Sequence, residues 1–558
     1  MAAERTLSAK ITRPSLSGVV RRERLFSLLD AVMKRPVIWV SASAGSGKTK
    51  LIASYLDAQK LPCVWYQCDE GDADLATFFY YMGLAAKKAA PRRKVHLPLL
   101  TPEYLAGMSA FARRYIEKLC ACLAGPKRAR KEWVLVLDNY QDVPADSAFH
   151  QMLASGLDRL PEDFHVIVVS RTPPPPAFAR MQAEGRIGLL EYGDLRFSLD
   201  EVRELAQGRL PERGEKRLKA IYSVTEGWAA GIILMLERAR LKGADAQVLE
   251  PTEYEGVFDY FAGEIFNKTE QETRDFLLKT SVLPVLSVSL AERLTGIGNA
   301  GRILTSLNRR NYFTERLSGK GQDFQYHPLF RSFLLNRLRS TASPAELAGL
   351  QKEAGRLLEE YGQVEEAARL YAEAGEVRFL ARMVVQHARE FLKQGRNKTV
   401  AEWIAAIPAP VADADPWLLY WTGMCSFLPD LAGARACLQK AMALFTAAGD
   451  ATGIYLSWAG IFDTYLYGIG DWGHLERCIE VFEDLRTRYP SIPSRETDML
   501  VSSKMLISLI LKNTAQPARL EEWLARVSSF LAEEPSFDVQ MDATFYMSLH
   551  FLWQGAYH

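Results

Sequence analysis

Nowhere in these 558 residues is there a run of the ~18 to 20 uncharged apolar side chains that a membrane-spanning helix requires. The opening Met1-Ala2-Ala3-Glu4-Arg5 leads into no apolar signal core. A cytoplasmic chain with no membrane partner is therefore expected. Cysteine is scarce and odd in number, 7 in all, and only Cys63/Cys68 and Cys120/Cys122 lie close together, without the further Cys or His that zinc needs. Reduced thiols are expected, not a disulfide scaffold. Net charge is also nearly absent, at +1, while 48% apolar and 24% charged residues exclude a mostly disordered chain. The balance hides an asymmetry: residues 341–558 sum to −9, which leaves +10 for residues 1–340. A basic first part suits phosphates or nucleic acid, and equally the acidic part of the same chain.

At about 150 residues per domain the length implies three to five domains. Residues 1–197 alternate β-rich apolar runs with helical stretches: Val37-Ile38-Trp39-Val40, Pro62 to Tyr66, Trp133 to Leu137 and His165 to Val169. Such nearly uninterrupted runs fit strands of a parallel sheet buried on both faces. Residues 198–254 read as a small helical domain opened by the capping box Ser198-Leu199-Asp200-Glu201. Residues 255–341 read as helices followed by a hairpin, with Asn311 to Glu315 and Phe324 to His327 flanking a turn at Ser318-Gly319-Lys320-Gly321, the outline of a winged helix. Residues 342–558 read as an α-solenoid of repeats like tetratricopeptide repeats; helix starts at Asp430 and Asp471 are 41 residues apart. The apolar end, Phe545 to Trp553, has no polar terminal repeat after it, which suggests a chain continued in a longer parent.

The residues that promise chemistry begin at Ala42-Ser43-Ala44-Gly45-Ser46-Gly47-Lys48-Thr49, set between the strand at Val37 and the helical Leu51 to Leu56. Strand, glycine loop and helix form the context of a phosphate-binding loop. Ala44, Gly45, Ser46, Gly47, Lys48, Thr49 and Lys50 are expected to hold the phosphates, with Lys48 at the β- and γ-positions and the Thr49 hydroxyl on Mg²⁺. Ala42 replaces the first glycine of the motif, which requires a negative φ there. Trp133-Val134-Leu135-Val136-Leu137-Asp138 is an apolar strand that would deliver Asp138 to the same Mg²⁺. The next residue is Asn139, which can position a water but not deprotonate it; Asp69, Glu70 and Asp72 offer carboxylates on the same edge, or simply an acidic turn. Arg171, after the strand ending at Ser170, is placed to sense a γ-phosphate or to lie on the surface before Pro173 to Pro176. Trp228, in Glu226-Gly227-Trp228-Ala229-Ala230-Gly231, reads as core packing.

Together these residues resemble the signal-transduction ATPases with numerous domains, the STAND class, and within it the MalT-like transcriptional regulators, large regulators of the LuxR/SARP type. The resemblance spans nearly the whole chain. It carries over residue by residue: Val20-Arg21-Arg22-Glu23-Arg24-Leu25 matches the element near the adenine, which assigns Val20 and Arg21 to the nucleotide, and Ala42 is a common loop start. Leu137-Asp138-Asn139-Tyr140 matches the metal-binding strand except at Asn139, Ser170-Arg171 matches the sensor, and Gly227-Trp228-Ala229-Ala230-Gly231 matches a family element. Tyr326-His327-Pro328-Leu329-Phe330 closes the winged helix, where the resemblance implies a histidine on the ADP diphosphate; spacing alone gives a packed histidine.

The resemblance implies a slow ATPase working as a switch: ADP holds a closed monomer, and an inducer on the helical repeats together with ATP and Mg²⁺ permits self-association. The inducer is a small molecule or a protein. Control of transcription through DNA would then run through a domain not present in this chain. The competing expectation is a scaffold or defence sensor that assembles on a protein partner without touching a promoter.

Overall fold

The four apolar runs, joined by a fifth that the sequence did not announce, form one parallel sheet: β1 (Val37–Ser41), β2 (Cys63–Gln67), β3 (Trp133–Asp138), β4 (Phe164–Ser170) and β5 (Ile187–Leu190), in the order β2-β3-β4-β1-β5. Successive side chains on a strand face opposite ways. Val37 and Trp39 accordingly join Tyr66, Phe78 and Phe149 in one core, while Ile38 and Val40 join Leu29, Ile52 and Leu56 in the other. Each such side chain contributes roughly 1.5–3 kcal/mol when fully buried. Two polar groups buried in the first of these cores find backbone partners: the Trp39 indole donates to Thr172 O at 2.9 Å and the Tyr115 hydroxyl to Phe79 O at 2.7 Å. The covering helices are α1 (Glu23–Val32), α2 (Lys48–Ala58), α3 (Leu75–Ala89), α4 (Met108–Leu123) and α5 (Phe149–Gly156).

This is a computed structural model, and it describes residues 9–16, 20–101, 104, 107–124, 132–207, 215–242, 263, 266–267, 269–309, 313–317, 322–468, 473–511, 517–532 and 537–553. The chain divides into two compact units, residues 1–376 and 377–558.

In the first unit the sheet is followed by α6 (Leu199–Ala206), α7 (Glu215–Thr225) and α8 (Ala229–Lys242). Ser198 caps α6 as its sequence indicated: its hydroxyl accepts from Glu201 N at 3.2 Å, and the Glu201 carboxylate accepts from Ser198 N at 2.9 Å. A winged helix comes next, built from α9 (Gln271–Thr280), β6 (Leu286–Ser287), α10 (Val288–Thr295), α11 (Ala300–Arg309), β7 (Thr314–Arg316), β8 (Asp323–Tyr326) and α12 (Pro328–Thr341). Its antiparallel sheet has the order β6-β8-β7. The turn between β7 and β8 lies outside the described residues. The helical pair α13 (Pro344–Glu360) and α14 (Val364–Glu373) completes the first unit.

An N-terminal strap, residues 9–16, crosses this unit. Lys10 sits between Asp69 and Asp72, Lys88 donates to Ile11 O and the Thr12 hydroxyl, and Arg13 donates to Ala53 O on α2. Its far end pairs with the winged helix, through a bridge from Pro14 to Leu317 and Ser15 N to Arg316 O at 3.3 Å.

The second unit is helical throughout its described residues. Small residues let its helices meet closely: a Cβ added to Gly423 or Gly460 would come within 2.8 or 3.0 Å of Leu438, and one at Gly453 within 2.3 Å of Phe445. Asp430 caps the helix Leu431–Ala448 by accepting from Gly433 N at 2.9 Å. Asp471, the second expected repeat start, lies outside the described residues.

Candidate phosphate-binding site

The register of the sheet brings its chemistry to one edge. Ser41 lies opposite Ser170 and Gln67 opposite Asp138, so the loop after β1, the last residue of β3 and Arg171 after β4 all emerge at the carboxyl ends of the strands. Gly45 and Gly47 have φ of +72° and +80°, a left-handed backbone that L side chains rarely adopt. Ala42 is not among the positive-φ residues, so its methyl group is accommodated. Gly47 opens α2 with no side-chain cap, which leaves the amide donors and the positive end of the helix dipole at the loop.

Lys48 is buried and donates to Ala42 O at 2.7 Å and Ser43 O at 2.9 Å. Burial lowers its pKa to about 8, with nearby Arg171 adding to the fall and Asp138 opposing it. A buried cation held only by carbonyls of its own loop gains from an anion placed there. The Thr49 hydroxyl donates to Asp138 Oδ1 at 3.0 Å across 89 residues of sequence, and Asn139 N donates to the same oxygen at 3.0 Å. Burial raises the Asp138 carboxyl to about 6, against the pull of Thr49, Asn139 and Lys48. A hydroxyl and a carboxylate meeting beside a left-handed glycine loop fit a Mg²⁺-polyphosphate. The cation would supply charge neutralisation and orientation of phosphate oxygens.

The loop has a second wall that the sequence did not reveal. The Trp228 indole donates to Ala44 O at 2.9 Å, and Ala230 N to Gly45 O at 2.9 Å. A Cβ on Gly45 would lie 2.7 Å from the Ala230 Cβ and 3.3 Å from Leu329 and from Trp228, so two separate segments close on that glycine. Gly227, at φ +82°, has Phe197 O where its Cβ would be. Trp228 is thus core packing that also grips the phosphate loop.

The winged helix supplies the third wall. His327 caps α12 through Nδ1, which accepts from Leu329 N at 3.3 Å. Burial pushes its pKa down to about 4; Glu315 opposes this, and Arg171, Lys48 and Lys50 reinforce it. A cavity of about 180 Å³ runs from Gly45, Gly47 and Lys50 past Glu315 and His327 to Val20, Arg22 and Phe197.

Not every expected residue reaches this cavity. Val20, Gly45, Gly47, Lys50 and His327 line it. Arg21 is exposed and pairs with Glu23, whereas Arg22 lines the cavity, stacks 3.9 Å over Phe197 and holds Glu201 at 2.9 Å. Lys50 turns from the loop to Ser15 O at 2.6 Å and Glu315 at 3.0 Å. Ser46 is buried, with its hydroxyl on Ser43 O. Arg171 is exposed, its backbone N held by Gln141 Oε1 at 2.9 Å. Asp69 and Asp72 pair with Lys10 at 2.6 and 2.9 Å and anchor the strap.

Comparison with known proteins agrees with this geometry. Residues 262–347 match the family model of the MalT winged helix domain, and residues 19–171 match that of Nephrocystin 3, N-terminal. The chain is 29% identical over 416 residues to the HTH-type transcriptional regulator MalT of Serratia proteamaculans (strain 568), covering 72% of this chain and 44% of the relative. It is 30% identical over 358 residues to MalT of Cronobacter sakazakii (strain ATCC BAA-894), covering 62% and 38%. The chain therefore spans less than half the length of these relatives. Among solved structures, a signal transduction ATPase with numerous domains from Pyrococcus horikoshii, bearing a tetratricopeptide repeat sensor, aligns with TM-score 0.51 and 15% identity over 99% of this chain and 86% of that one. With its parallel sheet, phosphate loop and winged helix, the chain is similar over much of its length to the MalT regulators and has the fold of the signal-transduction ATPases with numerous domains.

Proposed function

We propose that the first unit binds ADP or ATP with Mg²⁺ and acts as a nucleotide-dependent switch, in a protein that regulates transcription as its relatives' name says of them. The observation that carries this reading is the three-walled loop: Gly45 is enclosed by Ala230 and Trp228 on one side and by Leu329 of the winged helix on another. A nucleotide that alters the loop must act on both neighbours, and a ligand moves such an equilibrium only by its differential affinity for the two states. Lys48 and the loop amides hold phosphates, Thr49 and Asp138 hold the cation, Val20 and Arg22 flank the far end, and Arg171 and His327 face the terminal phosphate. With Asn139 after Asp138, no carboxylate stands in the base position, which is consistent with slow hydrolysis that resets the switch. In this reading residues 1–197 hold the nucleotide, 198–254 and 255–341 close on it, and 342–558 serve as the repeat sensor for an inducer. ATP and inducer together promote self-association.

Denaturing the purified chain and identifying the released nucleotide tests the site. Near-stoichiometric ADP from the wild type and none from Lys48→Ala is the expected result. Equal release from both would remove Lys48 from the site, and no nucleotide from either would remove the support for a closed ADP state.

A further inference from the structure

We propose that Glu315, carried by strand β7 of the winged helix, sets the preference of the site for a nucleoside diphosphate over a triphosphate. The inference rests on the nucleotide reading above. Glu315 lines the same cavity as Gly45, Gly47 and His327, and its carboxylate meets Lys50 Nζ, one residue beyond Thr49, at 3.0 Å. Its negative charge also reaches the capping histidine, where it opposes the downward push of burial on the His327 pKa. Among the described residues that line the cavity Glu315 is the one carboxylate, beside the cations Arg22 and Lys50.

A charge discriminates only if it cannot withdraw. Glu315 is fixed from both sides. On one it pairs in register with Gln325 of β8; on the other the strap bonds to the two residues that follow it, Ser15 N to Arg316 O at 3.3 Å and Pro14 bridged to Leu317. Lys50 is held in turn by Ser15 O at 2.6 Å, so the same strap positions the acid and its counter-ion. The α- and β-phosphates gain from the helix end and Lys48 in either nucleotide. A third phosphate adds negative charge, and repulsion by a fixed carboxylate nearby then weakens the triphosphate selectively. By linkage, a bound triphosphate weakens the docking of β7 on the loop by the same factor.

The test is equilibrium titration of the full chain with Mg-ADP and with Mg and a non-hydrolysable ATP analogue. In E315Q, which keeps shape and loses charge, the analogue should tighten about tenfold relative to ADP. In E315D, which keeps the charge, the wild-type ratio should persist. An unchanged ratio in E315Q, or equal shifts of both nucleotides in both variants, overturns the inference while leaving the nucleotide site intact. Wild-type protein that binds neither nucleotide overturns the site itself and the inference with it.

Discussion

His327 caps a helix and lines the cavity beside the phosphate loop, and the cap needs Nδ1 unprotonated. Its pKa falls from an ordinary 6.5 to about 4, chiefly by burial. The unfolded chain therefore takes up this proton first, and stability is lost as pH falls from 6.5 toward 4. The loss at pH 5 should be about 1–2 kcal/mol. Urea unfolding at pH 7.5 and 5.0 should show a drop smaller by that amount in His327→Gln than in the wild type, and parallel drops would remove this role. Single residues were legible where local rules act on them. Gly47, Lys48, Thr49 and Asp138 follow from spacing, because a loop between a strand and a helix leaves little choice of place. Arg21 and Arg22 differ only in which face of the chain they occupy ahead of α1, and sequence gives no cue to that. Trp228 meets its partner Ala44 across 184 positions, a distance at which local pattern carries no information.

At the scale of elements, the strap is held by few apolar side chains and many charged ones. Lys10 is the main anchor: burial alone would favour its neutral form, but Asp72 and Asp69 outweigh this and hold the ammonium well above its usual range. Removing one member of such a buried pair leaves the other charge uncompensated, at a cost of about 3–5 kcal/mol. Lys10→Met should lower stability to urea by an amount of that order, and adding Asp72→Asn should restore much of it. Equal loss in the single and double variants would show that the pair does not act as a unit. The parallel strands, the Ser198 box and the winged hairpin were readable because their signals are periodic or local. The strap was not, since Lys10, Pro14 and Ser15 form no pattern until Asp72 and Arg316 are brought to them. For the same reason the sequence left Asp69 and Asp72 open between candidate bases and an acidic turn, and could not show that they meet Lys10.

For the whole molecule, the site joins stretches that lie far apart in the chain but within one compact unit. Saturating Mg-ADP should slow amide exchange together at residues 42–50, 227–232 and 322–329, as read by hydrogen–deuterium exchange. Protection confined to residues 42–50 would show that the three walls do not respond as one. The order of the strands has a further bearing on how the chain is made. β1 pairs with no strand near it in sequence; its neighbours are β4 and β5, so Val37 waits for Val166 and Ile187. On the ribosome the phosphate loop therefore leaves the tunnel attached to an unpartnered apolar strand, and its carbonyls gain Trp228 and Ala230 only later still. Vectorial synthesis thus exposes a sticky, unfinished edge for most of the time taken to make the first 230 residues, which makes this interval the one in which a nascent-chain chaperone would matter most.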